Sequence, residues 1–150
     1  MDYRPATLDE APLLARLNKQ LIEDEGHANP MTVPELEARM RGWLAGEYRA
    51  ILFYQGGAVV AYALYRPEGA GIYLRHLFVA REQRRQGIGR RAMELLLARI
   101  WPPGTRITVE ALAHNAPALA FYRALGFCDY AIALERRAGP PTETDQGQEP

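Results

Sequence analysis

A chain of 150 residues, 48% hydrophobic and 24% charged, has the length of one domain and the composition of a folded globular protein rather than a disordered one. Eighteen basic residues balance eighteen acidic ones, and three acids fall in the last thirteen positions. Residues 1–137 therefore hold eighteen basic against fifteen acidic residues, too mild an excess for a surface built to bind nucleic acid. The single cysteine, Cys128, leaves no internal disulfide. No apolar run reaches the ~18 residues of a membrane span, and Met1-Asp2-Tyr3-Arg4 does not open a signal peptide. The expectation is a cytoplasmic domain with neither a membrane nor a nucleic-acid partner.

Thr7-Leu8-Asp9-Glu10 reads as a capping box, and Leu13, Leu14, Leu17 and Leu21 then recur at helical spacing. A polar loop from Glu23 to Pro30 separates this helix from a second. The second opens on the capping box Thr32-Val33-Pro34-Glu35 and carries Leu36, Met40, Trp43 and Leu44 on its apolar face. Residues 48–54 and 58–65 are rich in strand formers, with Gln55-Gly56-Gly57 as a hairpin turn between them. Pro67-Glu68-Gly69-Ala70-Gly71 turns the chain into a third strand over 72–79. Helical spacing returns with Ile88, Ala92, Leu95, Leu96 and Ile100, and Pro102-Pro103-Gly104 ends it. A strand over 106–111 comes next, then a helix from Asn115-Ala116-Pro117 to Leu125, closed by Gly126. The pattern predicts a last strand over 127–135 and a disordered polar tail over 138–150, so the domain is expected to span 1–137. The alternation of helices and strands indicates an α/β domain with a mixed sheet.

The chemistry concentrates in Arg84-Arg85-Gln86-Gly87-Ile88-Gly89-Arg90-Arg91, at a strand-to-helix junction. The first-turn N–H groups of the helix lack internal acceptors, and with the helix dipole they form an anion site. Two glycines let a ligand approach the backbone, and arginines surround it. No lysine is present for a Walker loop, and the third glycine of a dinucleotide fingerprint is missing. A pyrophosphate cradle for another cofactor remains, against the plain alternative of a solvated, arginine-rich helix start.

Downstream, Asn115-Ala116-Pro117-Ala118-Leu119-Ala120-Phe121-Tyr122-Arg123-Ala124-Leu125-Gly126-Phe127 is similar to the N-x-x-A-x-x-F/Y-Y-x-x-L-G-F signature of the GCN5-related N-acetyltransferase (GNAT) family. Arg84 through Gly89 resembles that family's R/Q-x-x-G-x-G/A motif for acetyl-coenzyme A. The element order also resembles the family's over roughly residues 3–135. The resemblance implies a GNAT-like α/β fold, a mixed, mostly antiparallel sheet of six to seven strands flanked by four helices. A splayed parallel strand pair would hold the cofactor.

By the same resemblance, Leu77, Phe78 and Val79 occupy the backbone positions that pair with the pantetheine arm. Arg84, Arg85, Gln86, Gly87, Ile88, Gly89 and Arg90 form the pyrophosphate-binding stretch. Asn115 matches a residue that contacts the cofactor arm, and its type also suits a helix N-cap. Tyr122 matches the tyrosine near the cofactor sulfur, where a phenol of pKa about 10 protonates the leaving thiolate; the alternative is an aromatic packed with Leu119 and Leu125. Glu110 matches the general base of the ribosomal-protein alanine N-acetyltransferase branch, against a solvent-facing strand carboxylate. From its place on the same strand, His76 offers a proton relay through water, against the alternative of a structural strand histidine. Glu23, Asp24, Glu25 and His27 lie in the loop that roofs the acceptor site in this family, where carboxylates favour a cationic amine; Arg75 opposes that charge if it faces the acceptor.

The implied activity is direct acetyl transfer from acetyl-coenzyme A to a primary amine, with a small-molecule acceptor expected. The alternatives are an acyl-coenzyme A sensor or pseudoenzyme, and a protein N-terminal or lysine acetyltransferase. No histidine partner is suggested for Cys128, so no acyl-enzyme is expected. His27, His76 and His114 lack metal-ligand spacing, so no metal is expected. One closing strand, where many family members have two, leaves room for completion by a homodimer.

Overall fold

The computed structural model describes residues 1–26 and 28–141; His27 and the expected tail beyond residue 141 lie outside them. Five strands form one sheet in the order of the chain: β1 (Asp2–Pro5), β2 (Arg49–Gln55), β3 (Ala58–Glu68), β4 (Gly71–Val79) and β5 (Ile107–Val109). The first three pairings are antiparallel and β4–β5 is parallel, so the sheet is mixed. Four α-helices flank it: α1 (Ala11–Asp24), α2 (Val33–Ala45), α3 (Ile88–Leu95) and α4 (Ala116–Ala124). Short 3-10 turns precede α1 and α3, and α3 widens into a π-helical turn over Leu96–Ile100 before Trp101.

Local chemistry accounts for most of these boundaries. The side chains of Thr32 and Glu35 exchange hydrogen bonds with each other's backbone N–H at the start of α2. The box at Thr7 and Glu10 closes the 3-10 turn that leads into α1. The β2–β3 turn is Gly56-Gly57, both at positive φ, the demand of a tight hairpin that matches the strands' twist. Gly71 lets β4 close on the start of β5, where the Ile72 N–H donates to the Arg106 carbonyl at 2.9 Å; a Cβ on Gly71 would meet that oxygen at 2.6 Å.

Each face of the sheet is buried. On one, Leu52, Tyr62, Leu64 and Phe78 pack with Leu14, Leu17 and Met40 of α1 and α2. On the other, Phe53, Val60, Ala61 and Leu74 pack with Ile88, Ala92, Met93 and Leu96 of α3, and Tyr122, Leu125 and Phe127 close against that core. Burial of this kind contributes about 25 cal/mol per Å² of apolar surface and is the main stabilising term.

Two strand expectations need correction. Among the described residues the sheet has five strands, and the expected six to seven are not found. β1 is an addition: four mostly exposed residues ending in proline carry no alternation to read, and only pairing with β2 makes them a strand. The strand expected over 127–135 is absent. The chain runs without regular structure after Gly126, and Tyr130, Ile132 and Leu134 are 83%, 85% and 91% exposed. Alternating apolar residues make a strand only where a neighbouring backbone accepts the ladder, and among the described residues none does.

Candidate active site

β4 and β5 pair only from Ile72–Ile107 to Leu74–Val109, yet β4 continues to Val79. At the same place the register with β3 slips, so that Leu64 faces His76 and Tyr65 faces Leu74, and Arg75 is the extra, bulged residue. Beyond the bulge the sheet parts, and a cavity of about 500 Å³ occupies the gap. Leu77, Phe78 and Val79 form one wall, the loop and first turn of α3 a second, and Ala118, Phe121 and Tyr122 of α4 a third. One edge of Leu77–Val79 pairs with Ala61–Ala63 of β3; the other faces the gap.

The second wall is built from the chain's turn into α3. Gly87 caps α3 at φ +72°, and Arg85 also sits at φ +64°, a conformation a non-glycine residue holds only when its surroundings impose it. These two turns aim the first backbone N–H groups of α3 at the cavity, where the helix dipole adds its partial positive charge. Gly89 serves packing: a Cβ there would lie 3.3 Å from the Phe121 ring, so its absence lets α3 and α4 approach. Arg84 is held in place, its Nε donating to the Val79 carbonyl at 3.1 Å and its other end to Asp24. Arg90 pairs with Glu94 at 3.2 Å, while Gln86 accepts from Arg91 through its carbonyl.

Tyr122 packs edge-on against Phe121 and Phe127 at 5.1 and 5.4 Å. Burial raises its phenol pKa well above the usual value, and the Glu25 carboxylate raises it further, so the proton stays on through neutral pH. Asn115 caps α4, its Oδ1 accepting from the Ala118 N–H at 3.2 Å. Glu110 is exposed just beyond β5, where its field reaches Tyr73. His76 bonds through Nδ1 to the Tyr62 hydroxyl at 3.1 Å; desolvation, then Arg75 and Arg39, lower its pKa to about 3.

The carboxylates of the first loop divide. Asp24 pairs with Arg81 at 3.1 Å and with Arg84, and Glu23 lies 3.5 Å from Arg81. Both thus join the arginines of the loop before α3. The two arginine bonds outweigh desolvation and hold the Asp24 carboxyl below the usual range. Glu25 turns inward, where its field reaches both Tyr62 and Tyr122. Arg75 faces α2: its guanidinium lies 4.6 Å from the Trp43 ring centre and donates to the Tyr48 hydroxyl at 3.3 Å. Sequence reasoning missed Arg39, Trp43 and Tyr62 in this group. A signal existed for one: Arg39 falls three residues after Leu36 and four before Trp43, a charge inside an apolar helical stripe.

The model of the acetyltransferase (GNAT) family matches residues 16–127. The chain belongs to that family. Solved GNAT-like structures overlay most of it. A single-substitution mutant of the BH1408 protein from Bacillus halodurans is 22% identical, with a TM-score of 0.74 over 92% of this chain and 99% of that one. An acetyltransferase from Thermus thermophilus is 27% identical, with a TM-score of 0.70 over 85% and 86%. The aminoglycoside N-acetyltransferase AAC(6')-Iy in complex with CoA is 16% identical, with a TM-score of 0.73 over 91% and 93%. No curated protein matches. Among the described residues no cluster of His, Cys, Asp and Glu could hold a metal ion, and no helix is long and apolar enough to cross a membrane.

In the GNAT cradle, Gly87→Ala meets no atom within 4 Å, so its cost is conformational alone, about 1–2 kcal/mol in urea denaturation. For His76, NMR should show an imidazole that does not titrate between pH 8 and 5, where a free histidine would change charge near 6.5. Because the unfolded chain takes up this proton below ~6.5 and the folded one does not, stability falls as pH drops through that window. The loss is at most about 1.4 kcal/mol per pH unit, and His76→Gln should remove it.

Proposed function

We propose that this GNAT protein is an acetyl-coenzyme A-dependent N-acetyltransferase that passes acetyl directly to a primary amine of a small molecule in the cytoplasm. The observation that carries the reading is the parted β4–β5 pair, whose free Leu77–Val79 edge opens onto the same cavity as the α3 cradle and Tyr122. The open edge suits the amides of a pantetheine arm, and the cradle of Arg85, Gln86, Gly87, Ile88 and Gly89 suits a pyrophosphate. The fold-mate AAC(6')-Iy, described in complex with CoA, supports the same use.

In this reading the amine nitrogen attacks the thioester carbonyl carbon, the C–N bond forms and the C–S bond breaks. A carboxylate first takes one proton from the acceptor's ammonium so that the neutral amine attacks. The Tyr122 hydroxyl then gives a proton to the departing thiolate, and the proton lost from the nitrogen of the tetrahedral adduct restores the phenol. Two carboxylates compete for the first task. Glu110 stands beyond the end of β5, and its field reaches Tyr73; the field of Glu25 reaches Tyr122 itself. Glu110 is the carboxylate that the family resemblance points to, and Glu25 is a second candidate for the base. Cys128 is exposed on the segment after Gly126.

Calorimetry with acetyl-coenzyme A should show micromolar binding that Gly87→Glu abolishes. Tyr122→Phe should keep that binding and lower kcat with an amine acceptor by about a hundredfold or more, and of Glu25→Gln and Glu110→Gln the variant that loses more kcat identifies the base. Binding with no turnover of any amine would instead indicate an acyl-coenzyme A sensor, and no binding would remove the reading.

The exposed C-terminal stretch supports a homodimer, because Tyr130, Ile132 and Leu134 alternate as a strand's buried face does and a second copy offers the same stretch as a partner. Light scattering should give a dimer that Ile132→Lys dissociates; a monomeric wild type refutes it.

A further inference from the structure

Arg39 and Arg75 come from different elements and meet at one ring. Arg39, on α2, is half-buried, with its guanidinium carbon 4.4 Å from the Trp43 ring centre; Arg75, the bulged residue of β4, lies 4.6 Å from the same centre. That holds the two guanidinium carbons within about 9 Å of each other. Arg39 donates to the Asn18 side chain at 3.1 Å, and its Nε is buried without a partner among the described residues. Elsewhere arginines meet carboxylates, as Arg4 meets Glu10, Arg41 meets Glu37 and Arg123 meets Asp129. Among the described residues neither Arg39 nor Arg75 does.

Two like charges gathered at a partly dry aromatic wall repel each other, and among the described residues no carboxylate pairs with either to offset the cost. An arginine stacked on a tryptophan is a common packing device, and Arg39 alone would be one. The position of the pair argues for more. A line of ring contacts runs from the cavity wall to Trp43: Phe78 to Tyr62 at 6.1 Å, Tyr62 to His76 at 5.9 Å, and His76 to Trp43 at 5.8 Å. Charge is polarised along that line. Tyr62 feels the carboxylate of Glu25 and the guanidinium of Arg39, Tyr122 feels Glu25, and His76 feels only the two arginines. Negative charge thus lies at the Tyr122 end and positive charge at the Trp43 end.

We propose that the acceptor is a primary amine that also carries an anionic group, a carboxylate or a phosphate, held by Arg39 and Arg75 at the Trp43 ring while the amine reaches towards Tyr122. This rests on the acetyltransferase reading above and names the substrate class of the same site. A diamine or polyamine is disfavoured, because its second cation would meet the two guanidiniums. The guanidinium fork suits either anion, binding two oxygens side by side.

The test pairs acceptors that differ only in the anion. The proteinogenic amino acids are compared with their carboxamides, phosphoethanolamine with ethanolamine, and spermidine serves as the cationic control, each with saturating acetyl-coenzyme A. Wild-type kcat/KM should favour the anionic member by about ten- to a hundredfold, mostly through KM, as expected for one or two charge-assisted hydrogen bonds. The arm with the larger ratio identifies the anion. Arg39→Gln and Arg75→Gln should each reduce that ratio about tenfold. Acetyl-coenzyme A affinity serves as the check on folding, and the exposed Arg75 decides if the half-buried Arg39 variant does not fold.

A ratio at or below one overturns the proposal, as does a ratio unchanged in Arg75→Gln or a preference for spermidine. A protein that binds acetyl-coenzyme A and turns over no anionic amine also overturns it, leaving the cofactor reading in place. Absence of acetyl-coenzyme A binding removes both.

Discussion

The end of the β4–β5 ladder at Leu74 and Val109 is the constraint on which the rest of the site depends. A strand that loses one neighbour leaves a row of backbone donors and acceptors needing partners, and only water or a ligand can supply them in the gap. The bulge at Arg75 coincides with this parting. It inserts one residue, changes the aim of the side chains beyond it, and keeps His76 and Phe78 on the face that packs against Tyr62. One local irregularity therefore opens the cavity, exposes the Leu77–Val79 edge and delivers Arg75 to the Trp43 ring.

Charge is distributed around that opening by pairing rather than by net excess. The loop after β4 reads as strongly basic, yet Arg81 and Arg84 are engaged by Asp24 and Glu23, and Arg90 by Glu94. What remains for an anionic ligand is chiefly the backbone of the α3 first turn with Arg85 beside it. The fixed dipoles of a helix start need no side-chain ordering when the ligand arrives. The acidic loop, by the same pairing, presents less free negative charge than three consecutive carboxylates suggest.

The parts legible from sequence were those whose cause is local. The Thr32–Glu35 capping box, the Gly56-Gly57 turn, the glycine at the head of α3 and Asn115 as the cap of α4 each act within four residues, and each appears where its pattern places it. The two motifs also fall on the loop before α3 and on α4, whose residues line one cavity. Illegible parts depended on distant partners. β1 is a strand because β2 lies beside it, and 127–135 is not one because no strand lies beside it. Asp24 meets arginines 57 and 60 residues away. The direction of Arg75 was open because a bulge breaks the two-residue alternation from which a side chain's face is read.

The Asp24 pairing shows how a weak interaction can still matter to the site. Its partners are partly exposed, and surface ion pairs of this kind contribute about 0–1 kcal/mol, so the fold does not depend on it. Its consequence is positional. Asp24 is the last residue of α1, and the next residue is Glu25, whose carboxylate acts on Tyr62 and Tyr122. Arg84, meanwhile, is bound to the carbonyl of Val79 at the end of the free β4 edge. A chain of contacts from the open edge through Arg84 and Asp24 thus sets where the first loop hangs, and with it where Glu25 stands. Moving the loop before α3 without moving Glu25 would require breaking that chain. The start of α3 and the end of α1 are in this way parts of one local structure, although Asp24 and Arg84 lie 60 positions apart in sequence.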